Sequence, residues 1–295
     1  MAARGRASAA VLGAGLIGID LAEKIQRSKA LTCRLVVGRA PQSVGLRRAA
    51  EMGCPTADGG IASLMEAGPF DVVFDASNAA SHAEHWAHLK DTGAQLVDLT
   101  PSRVGAMVVP TVNGGAARVH RHINLITCGG QAAIPLLHTI AQHCTPTYIE
   151  VVSTGASASA GRATRLNLDE YIATTGAAVR TFTAAREVKV LVNLSPAVPA
   201  PPFRVVMRVL ASGLRPEPVR AAVAAAAAKV RTFTPGFTVT SCHVADGQAS
   251  IAVEVTAEGS RIPAHAGNLH IINAAAVLLA EQHATACPVK ETPHG

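Results

Sequence analysis

Near its start the chain carries Gly13-Ala14-Gly15-Leu16-Ile17-Gly18 between an apolar run at residues 9–12 and a helical pattern over residues 16–29. A second apolar run follows at residues 33–37. Three glycines at this spacing, after a strand and opening a helix inside a βαβ unit of about 30 residues, have the context that a dinucleotide-binding turn requires. The first glycine permits a tight turn, the second lets backbone approach a pyrophosphate, and the third lets the helix lie close to the strand. The free N–H groups and positive dipole end of the helix then favour phosphate. The plainer alternative is a glycine-rich strand–helix turn that binds nothing.

The alternation continues. Residues 43–52 and 79–91 read as helices, and residues 71–74 and 94–97 as strands. Residues 124–127 read as another strand, leading into a helix over 131–143. Strands alternating with helices imply a parallel sheet covered on both faces. Beyond this point the pattern changes. Residues 148–154, 188–193, 203–210, 237–242 and 251–255 read as longer strands, with helices at 165–182 and 216–230. This is an α+β pattern with a largely antiparallel sheet. Residues 195–202 hold four prolines and are irregular. A last helix runs from 267 to about 282. The fold class expected is α/β: a Rossmann-type dinucleotide-binding domain plus an α+β domain.

Bulk properties exclude several functions. With 49% apolar and 16% charged residues over 295 positions, the chain can bury a core and is not disordered. Its +6 formal charge is scattered, without a basic cluster interleaved with aromatics, so nucleic acid is not an expected partner. A mild positive excess suits an anionic ligand such as a dinucleotide or a coenzyme thioester, or is only a solvated basic surface. The cysteines are Cys33, Cys54, Cys128, Cys144, Cys242 and Cys287, none paired as CxxC. A reduced, cytoplasmic protein is therefore expected. Glycines interrupt the apolar segment 9–19 and Asp20 ends it, which argues against a signal peptide. No run approaches the roughly 18 to 20 apolar residues of a membrane span.

One cysteine stands apart. Thr127-Cys128-Gly129-Gly130-Gln131 lies where a strand gives way to a helix. The helix dipole and nearby amides favour the thiolate, the reactive form of cysteine. The two glycines leave room for a carbonyl and expose amides that could hold an oxyanion. A thiol beside a nicotinamide suggests addition to an aldehyde, hydride loss, and an enzyme thioester passed to a second nucleophile such as coenzyme A. Cofactor choice is open between NAD and NADP. After the second strand stands Val37-Gly38-Arg39-Ala40, with no acid for ribose hydroxyls. Arg39 could meet a 2′-phosphate there, with Ser43 nearby.

At these residues the sequence resembles the acylating acetaldehyde dehydrogenase family of meta-cleavage pathways, over nearly the whole chain. Besides the glycine turn, the matching pieces are Phe74-Asp75-Ala76, Asp98-Leu99-Thr100-Pro101, Val109-Pro110-Thr111-Val112-Asn113 and Ile126-Thr127-Cys128-Gly129-Gly130-Gln131. Later pieces are Ser159-Ala160-Gly161, Thr164-Arg165 and Ala266-Gly267-Asn268-Leu269. The resemblance implies that Cys128 is the acyl-accepting nucleophile and that coenzyme A is co-substrate. It further implies that Ser159, Ala160, Gly161, Arg162, Ala163, Thr164, Arg165, Leu166 and Asn167 form a cofactor-binding segment, and that Asn268 contacts cofactor near the nicotinamide. It implies a homodimer, and a partner aldolase that hands over the aldehyde. The division expected is 1–128 for the dinucleotide domain, 129–265 for a catalytic and dimerisation domain, and 266–295 for a C-terminal helix returning to the first.

The chain also departs from the family pattern. The family carries Met-Arg-Asp after the proline stretch, its acid assisting the thiol; here Phe203-Arg204-Val205 aligns, so Val205 replaces the acid. His265 and His270 stand where the family has Tyr and Asp, and His265 is a candidate acid–base group. The position usually acidic after the second strand is Ala40. Asp75 reads as a cap of the following turn. His82, His85 and His88 read as a polar helix face, and no metal is expected because no zinc motif spacing accompanies them. The leading expectation is an acylating dehydrogenase converting a short aldehyde to acyl-CoA. Two alternatives are an NADPH-dependent reductase of an acyl thioester or acyl phosphate, and a non-catalytic nucleotide-binding partner or regulator.

Overall fold

The computed structural model describes residues 5–259 and 261–286. The first half contains β1 (Ala7–Leu12), α1 (Leu16–Arg27), β2 (Leu31–Val37), α2 (Val44–Glu51), β3 (Thr56–Ala57) and α3 (Ile61–Ala67). It continues with β4 (Val72–Asp75), α4 (Ala79–Leu89), β5 (Gln95–Asp98), β6 (Ala106–Met107), α5 (Pro110–Asn113) and β7 (His122–Asn124). These strands form one parallel sheet ordered β3-β2-β1-β4-β5-β7-β6. β4 and β5 are buried along their whole length, as strands covered on both faces are. Strand order reverses between β1 and β4. The carboxyl ends of these two strands, Leu12 and Asp75, therefore flank the crevice where open α/β sheets take ligands.

The second half contains α6 (Cys128–Ala141), β8 (Tyr148–Ala156), α7 (Arg162–Leu166), α8 (Leu168–Thr183) and β9 (Glu187–Ser195). β10 (Phe203–Leu210), α9 (Pro216–Arg231), β11 (Phe237–Ala245), β12 (Gln248–Val255) and α10 (Gly267–Ala286) complete it. The strands form a second sheet, β11-β12-β10-β8-β9, antiparallel except for the parallel β8–β9 pair. β10 alternates as a half-covered strand must: Phe203, Val205, Met207 and Val209 are buried, while Arg204 and Arg208 are exposed. Its buried face shares one core with Leu136 of α6, Val179 of α8 and Val223 of α9. α10 instead joins the first sheet, its Ile272, Ala275, Ala276 and Leu279 packing into a core with Leu21, Ile25, Leu99 and Leu125. Among the described residues, no helix is long and apolar enough to cross a membrane. Cys287 lies outside the described residues.

Two expected elements change shape, each for a local reason. The strand expected at 124–127 stops at Asn124. The Asn124 side chain accepts a hydrogen bond from the Ile126 amide at 2.8 Å, and Ile126 turns to φ +64°. The following helix accordingly begins at Cys128 rather than 131, capped by Thr127, whose Oγ1 accepts from the Gly130 amide at 2.9 Å. The helix expected at 165–182 is two helices that meet at Asn167, with φ −120° and ψ 35°.

Candidate active site

The β1–α1 turn is shaped by its glycines. Gly13 has φ +114°, and a Cβ there would come within 2.6 Å of the Ala76 carbonyl oxygen. A Cβ on Gly18 would overlap the Gly13 carbonyl, so only glycine lets α1 sit this close to β1. Among the described residues, a Cβ on Gly15 would meet nothing within 4 Å beyond its immediate chain neighbours. Gly15 caps α1 without a side-chain hydrogen bond, leaving the first amides of the helix to face that open space. Ala14 is half-buried and Leu16 is exposed beside it, while Ile17 turns inward to line a cavity.

That cavity, about 70 Å³, lies at the seam between the two sheets. Ala76, Ser77 and Asn78 after β4, Leu99 to Pro101 after β5, and Ile126 to Cys128 form one side. Ala163, Thr164, Asn167 and Tyr171 from α7 and α8, with Asn268, Leu269 and Ile272 from α10, form the other. Of the expected cofactor segment, Ala163, Thr164 and Asn167 reach the cavity, whereas Ser159 and Ala160 are buried behind it. Arg165 braces the loop, donating to the carbonyl oxygens of Ser157 at 2.8 Å and Ala160 at 3.2 Å. Gly161 lies against Leu16, and Arg162 and Leu166 are exposed. Arg39 is exposed at the end of β2, away from this cavity.

Cys128 is the first residue of α6 and its thiol faces the cavity. The Tyr171 hydroxyl lies 3.4 Å from Sγ and accepts a hydrogen bond from the Gly129 amide at 2.8 Å. Burial pushes the Cys128 thiol up; the Tyr171 hydroxyl and the Gly129 amide act in the opposite direction without overcoming it. Burial also raises Tyr171 well above the usual phenol range, and the neighbouring Cys128 adds to this. The expectation that Gly129 and Gly130 offer free amides to an oxyanion is corrected. Tyr171 takes the first and Thr127 Oγ1 takes the second. Their lack of side chains serves packing: a Cβ on Gly129 would overlap Tyr171 OH and Ser153 Oγ.

His265 is half-buried in the turn before α10 and does not line the cavity. Val205 is fully buried opposite Ser153 in the β8–β10 ladder, so no carboxylate approaches the thiol from that strand. His270 does not line the cavity and lies near Lys24 and Asp20 of α1: burial, with the nearby Lys24 charge, pushes it down to about 4. Tyr171 was missed by sequence reasoning. It carries no local signal beyond being one of two tyrosines in the chain.

The helical histidines also differ from expectation. His88 is exposed, but His82 and His85 point into the fold and are buried. Residues at i and i+3 share a helix face, and here that face meets the end of β4. Asp75 accepts from both rings, at 2.7 and 2.8 Å, as well as capping the Ser77 amide at 3.0 Å. Against the opposing effect of burial, these imidazole contacts hold the Asp75 carboxyl far below the ordinary carboxylate range. His82 Nε2 lies 2.7 Å from His122 Nε2 and 3.2 Å from Asp98 Oδ2. Burial pushes Asp98 up to about 6. Among the described residues, these three side chains are the set whose metal-ligand-type atoms lie within 4.8 Å of one another. Asp98 Oδ2 already accepts from Ser102 and from Asn124 Nδ2, the latter at 2.6 Å. The set thus satisfies itself through hydrogen bonds.

A dinucleotide-type parallel sheet joined to a mixed-sheet domain is the two-domain fold found in solved semialdehyde dehydrogenases. The chain superposes on an aspartate semialdehyde dehydrogenase from Candida albicans solved with NADP, with TM-score 0.68 and 12% identity over 96% of this chain and all of that one. The aspartate semialdehyde dehydrogenase II of Vibrio cholerae gives TM-score 0.63 over 98% of this chain. Sequence narrows the class. A family described as prokaryotic acetaldehyde dehydrogenase, dimerisation, matches residues 128–263. An acetaldehyde dehydrogenase of Streptomyces griseus is 54% identical over 94% of this chain and 90% of its own length. One from Pectobacterium atrosepticum is 40% identical over 92% and 93%. The chain belongs to the acetaldehyde dehydrogenase family, and it is an oxidoreductase acting on aldehydes.

Proposed function

We propose that the protein is an NAD(P)-dependent acylating dehydrogenase of a short aldehyde such as acetaldehyde, with Cys128 as nucleophile and coenzyme A as acyl acceptor. The observation that carries this reading is the position of the Cys128 thiol, in one cavity with Ile17 in the first turn of α1, with α7 and with α10. The residues fit a dinucleotide. Open space lies over Gly15 at an uncapped helix start, and Asn268 Oδ1 is a buried acceptor without a partner among the described residues, suited to an amide donor. The Asn268 amide nitrogen is meanwhile anchored on the Ser159 carbonyl at 3.2 Å. Arg39 stands where an acid would otherwise bind ribose hydroxyls, which favours NADP.

In this mechanism the Cys128 thiolate attacks the aldehyde carbon. The C–S bond forms and the carbonyl pair moves to oxygen, near the Cys128 amide at the start of α6. A bound nicotinamide supplies the hydride acceptor. The acyl group remaining on Cys128 is a thioester, and the coenzyme A thiol takes it and frees the sulfur. The apolar walls, Ile17, Leu99, Leu269 and Ile272, limit water that would hydrolyse the thioester. The match to a dimerisation family supports a homodimer built on the second domain. A partner aldolase belongs to this reading by family resemblance alone, and a cytoplasmic location by the cysteine usage.

The test is absorbance at the reduced-nicotinamide band with acetaldehyde and coenzyme A, run separately with NAD⁺ and NADP⁺. We expect coenzyme-A-dependent reduction, more strongly with NADP⁺. Cys128→Ala should abolish turnover while nucleotide still binds; undiminished turnover in that variant would refute the reading.

A further inference from the structure

Accepting Cys128 as the nucleophile exposes a shortage. The attacking species must be the thiolate. Yet among the described residues lining the cavity, only Cys128 and Tyr171 can ionise, and the cavity holds neither carboxylate nor imidazole. Val205 occupies the strand position facing Ser153, and His265 stays outside. Whatever makes this buried sulfur reactive before cofactor arrives must be an uncharged donor.

We propose that Tyr171 is a catalytic residue of this enzyme, donating its phenolic hydrogen bond to the Cys128 thiolate. The proposal rests on the nucleophile reading above. Its support is geometric. The hydroxyl is 3.4 Å from Sγ, and the Gly129 amide donates to the same oxygen at 2.8 Å. With that lone pair engaged, the phenolic proton has two directions open, toward Sγ or toward Ser153 Oγ, 3.4 Å away. An N–H feeding an O–H that in turn faces a thiolate is a polarised chain, in which each bond strengthens the next. The approach requires glycine at 129, since any Cβ there would overlap the hydroxyl.

α8 is pinned to the nucleophile turn to keep this geometry. Thr175, one helical turn beyond Tyr171, donates to the Tyr171 carbonyl at 2.7 Å, and its Oγ1 lies 2.7 Å from Oγ1 of the α6 cap Thr127. Tyr171 acts as a donor and not as a base, because its own ionisation is pushed well above the usual range. The proton balance is simple. The S–H bond of Cys128 breaks with its electron pair kept on sulfur, the proton leaves to solvent, and the phenol stays protonated throughout.

The test reads the thiolate directly. Carbamidomethylation of Cys128 by iodoacetamide is followed by peptide-resolved mass spectrometry from pH 6 to 10. In Tyr171→Phe, which keeps the ring, we expect the apparent pKa of alkylation to rise by about one unit. The rate at pH 7.5 should fall ~10-fold, as for loss of one charge-assisted hydrogen bond. Turnover should fall in kcat by a similar factor, with the KM for aldehyde within about twofold. A second measurement does not depend on that variant folding. The chain has two tyrosines, so in Tyr148→Phe protein grown on 3,5-difluorotyrosine only Tyr171 carries the more acidic, stronger-donating phenol. There the alkylation pKa should fall. A packing role alone would not move the thiol in opposite directions in the two proteins. An alkylation profile unchanged in both, with Cys128→Ala inactive, overturns the role of Tyr171 alone. Turnover surviving in Cys128→Ala overturns the underlying reading instead.

Discussion

His270 gives the most quantitative prediction about stability. It lies in the first turn of α10, 5% exposed, and neither ring nitrogen has a hydrogen-bond partner among the described residues. Burial, reinforced by the Lys24 charge, pushes it down to about 4, and the partial help of Asp20 does not compensate. The unfolded chain titrates this group near 6.5. The folded pKa is the lower of the two, so the unfolded state binds the extra proton and stability falls as pH drops through 6.5, levelling below about 4. At pH 5 this linkage amounts to about 2 kcal/mol. At pH 7 the neutral ring still leaves buried polar atoms unpaired, at a cost of about 1 kcal/mol or more. His270→Leu is therefore expected to stabilise the protein by about 1 kcal/mol at pH 7 and about 3 kcal/mol at pH 5. Urea unfolding of both proteins at the two pH values measures this through the shift in midpoint. Identical loss of stability between pH 7 and 5 in the two proteins would show that His270 is solvated or paired in solution, and would refute the argument.

Two further outcomes follow from the glycine turn and the nucleophile turn. Gly15→Val adds atoms only to open space, and Gly15 has an extended backbone that any residue adopts. We expect stability within about 0.5 kcal/mol of wild type, with nucleotide affinity down at least ~10-fold by calorimetry from blocked approach to the phosphates; undiminished affinity would remove the dinucleotide assignment. Asn124→Leu leaves the Ile126 amide and the Thr100 carbonyl unpaired and strips a donor from Asp98. A loss of about 3 to 5 kcal/mol is expected in urea unfolding, together with slower Cys128 alkylation; a loss below 1 kcal/mol would mean that the turn holds without its asparagine.

What the sequence reveals is what neighbours in the chain determine. The β1–α1 turn was legible because strand, glycines and helix are contiguous and each glycine answers a steric demand of its own. The boundary at Asn124 was not, because Leu125 and Ile126 prolong the apolar run while the decisive event is a side chain competing with the sheet for a backbone amide. His82 and His85 looked like a polar face because their partners, Asp75 and Asp98, come from two different strands. Tyr171 becomes visible only once α8 docks on the start of α6. His265 stands beside Ala-Gly-Asn-Leu, yet it is not among the residues that line the cavity. The matches at Cys128 and Asn268 located the cavity without identifying what activates the thiol.

The turn at Ile126 links the two halves of the molecule to the chemistry. A β-branched residue at φ +64° costs roughly 1 to 3 kcal/mol and persists only if its surroundings over-determine it. Here they do. Asn124 grips the Ile126 amide with its carbonyl oxygen and reaches back to Asp98 and Thr100 with its amide nitrogen. Asp98 is in turn tied to His82 and so to the end of β4. From the other domain, α8 holds Thr127 through Thr175. The chain therefore leaves the sheet abruptly at Asn124, and α6 starts with its first side chain aimed into the crevice rather than along the strand. A relaxed extended path would carry Cys128 onward with the sheet, away from Tyr171 and Asn268. The strain is the means by which a thiol at a sheet edge is turned into the cavity that Ile17 of one domain and the phenol of the other line together.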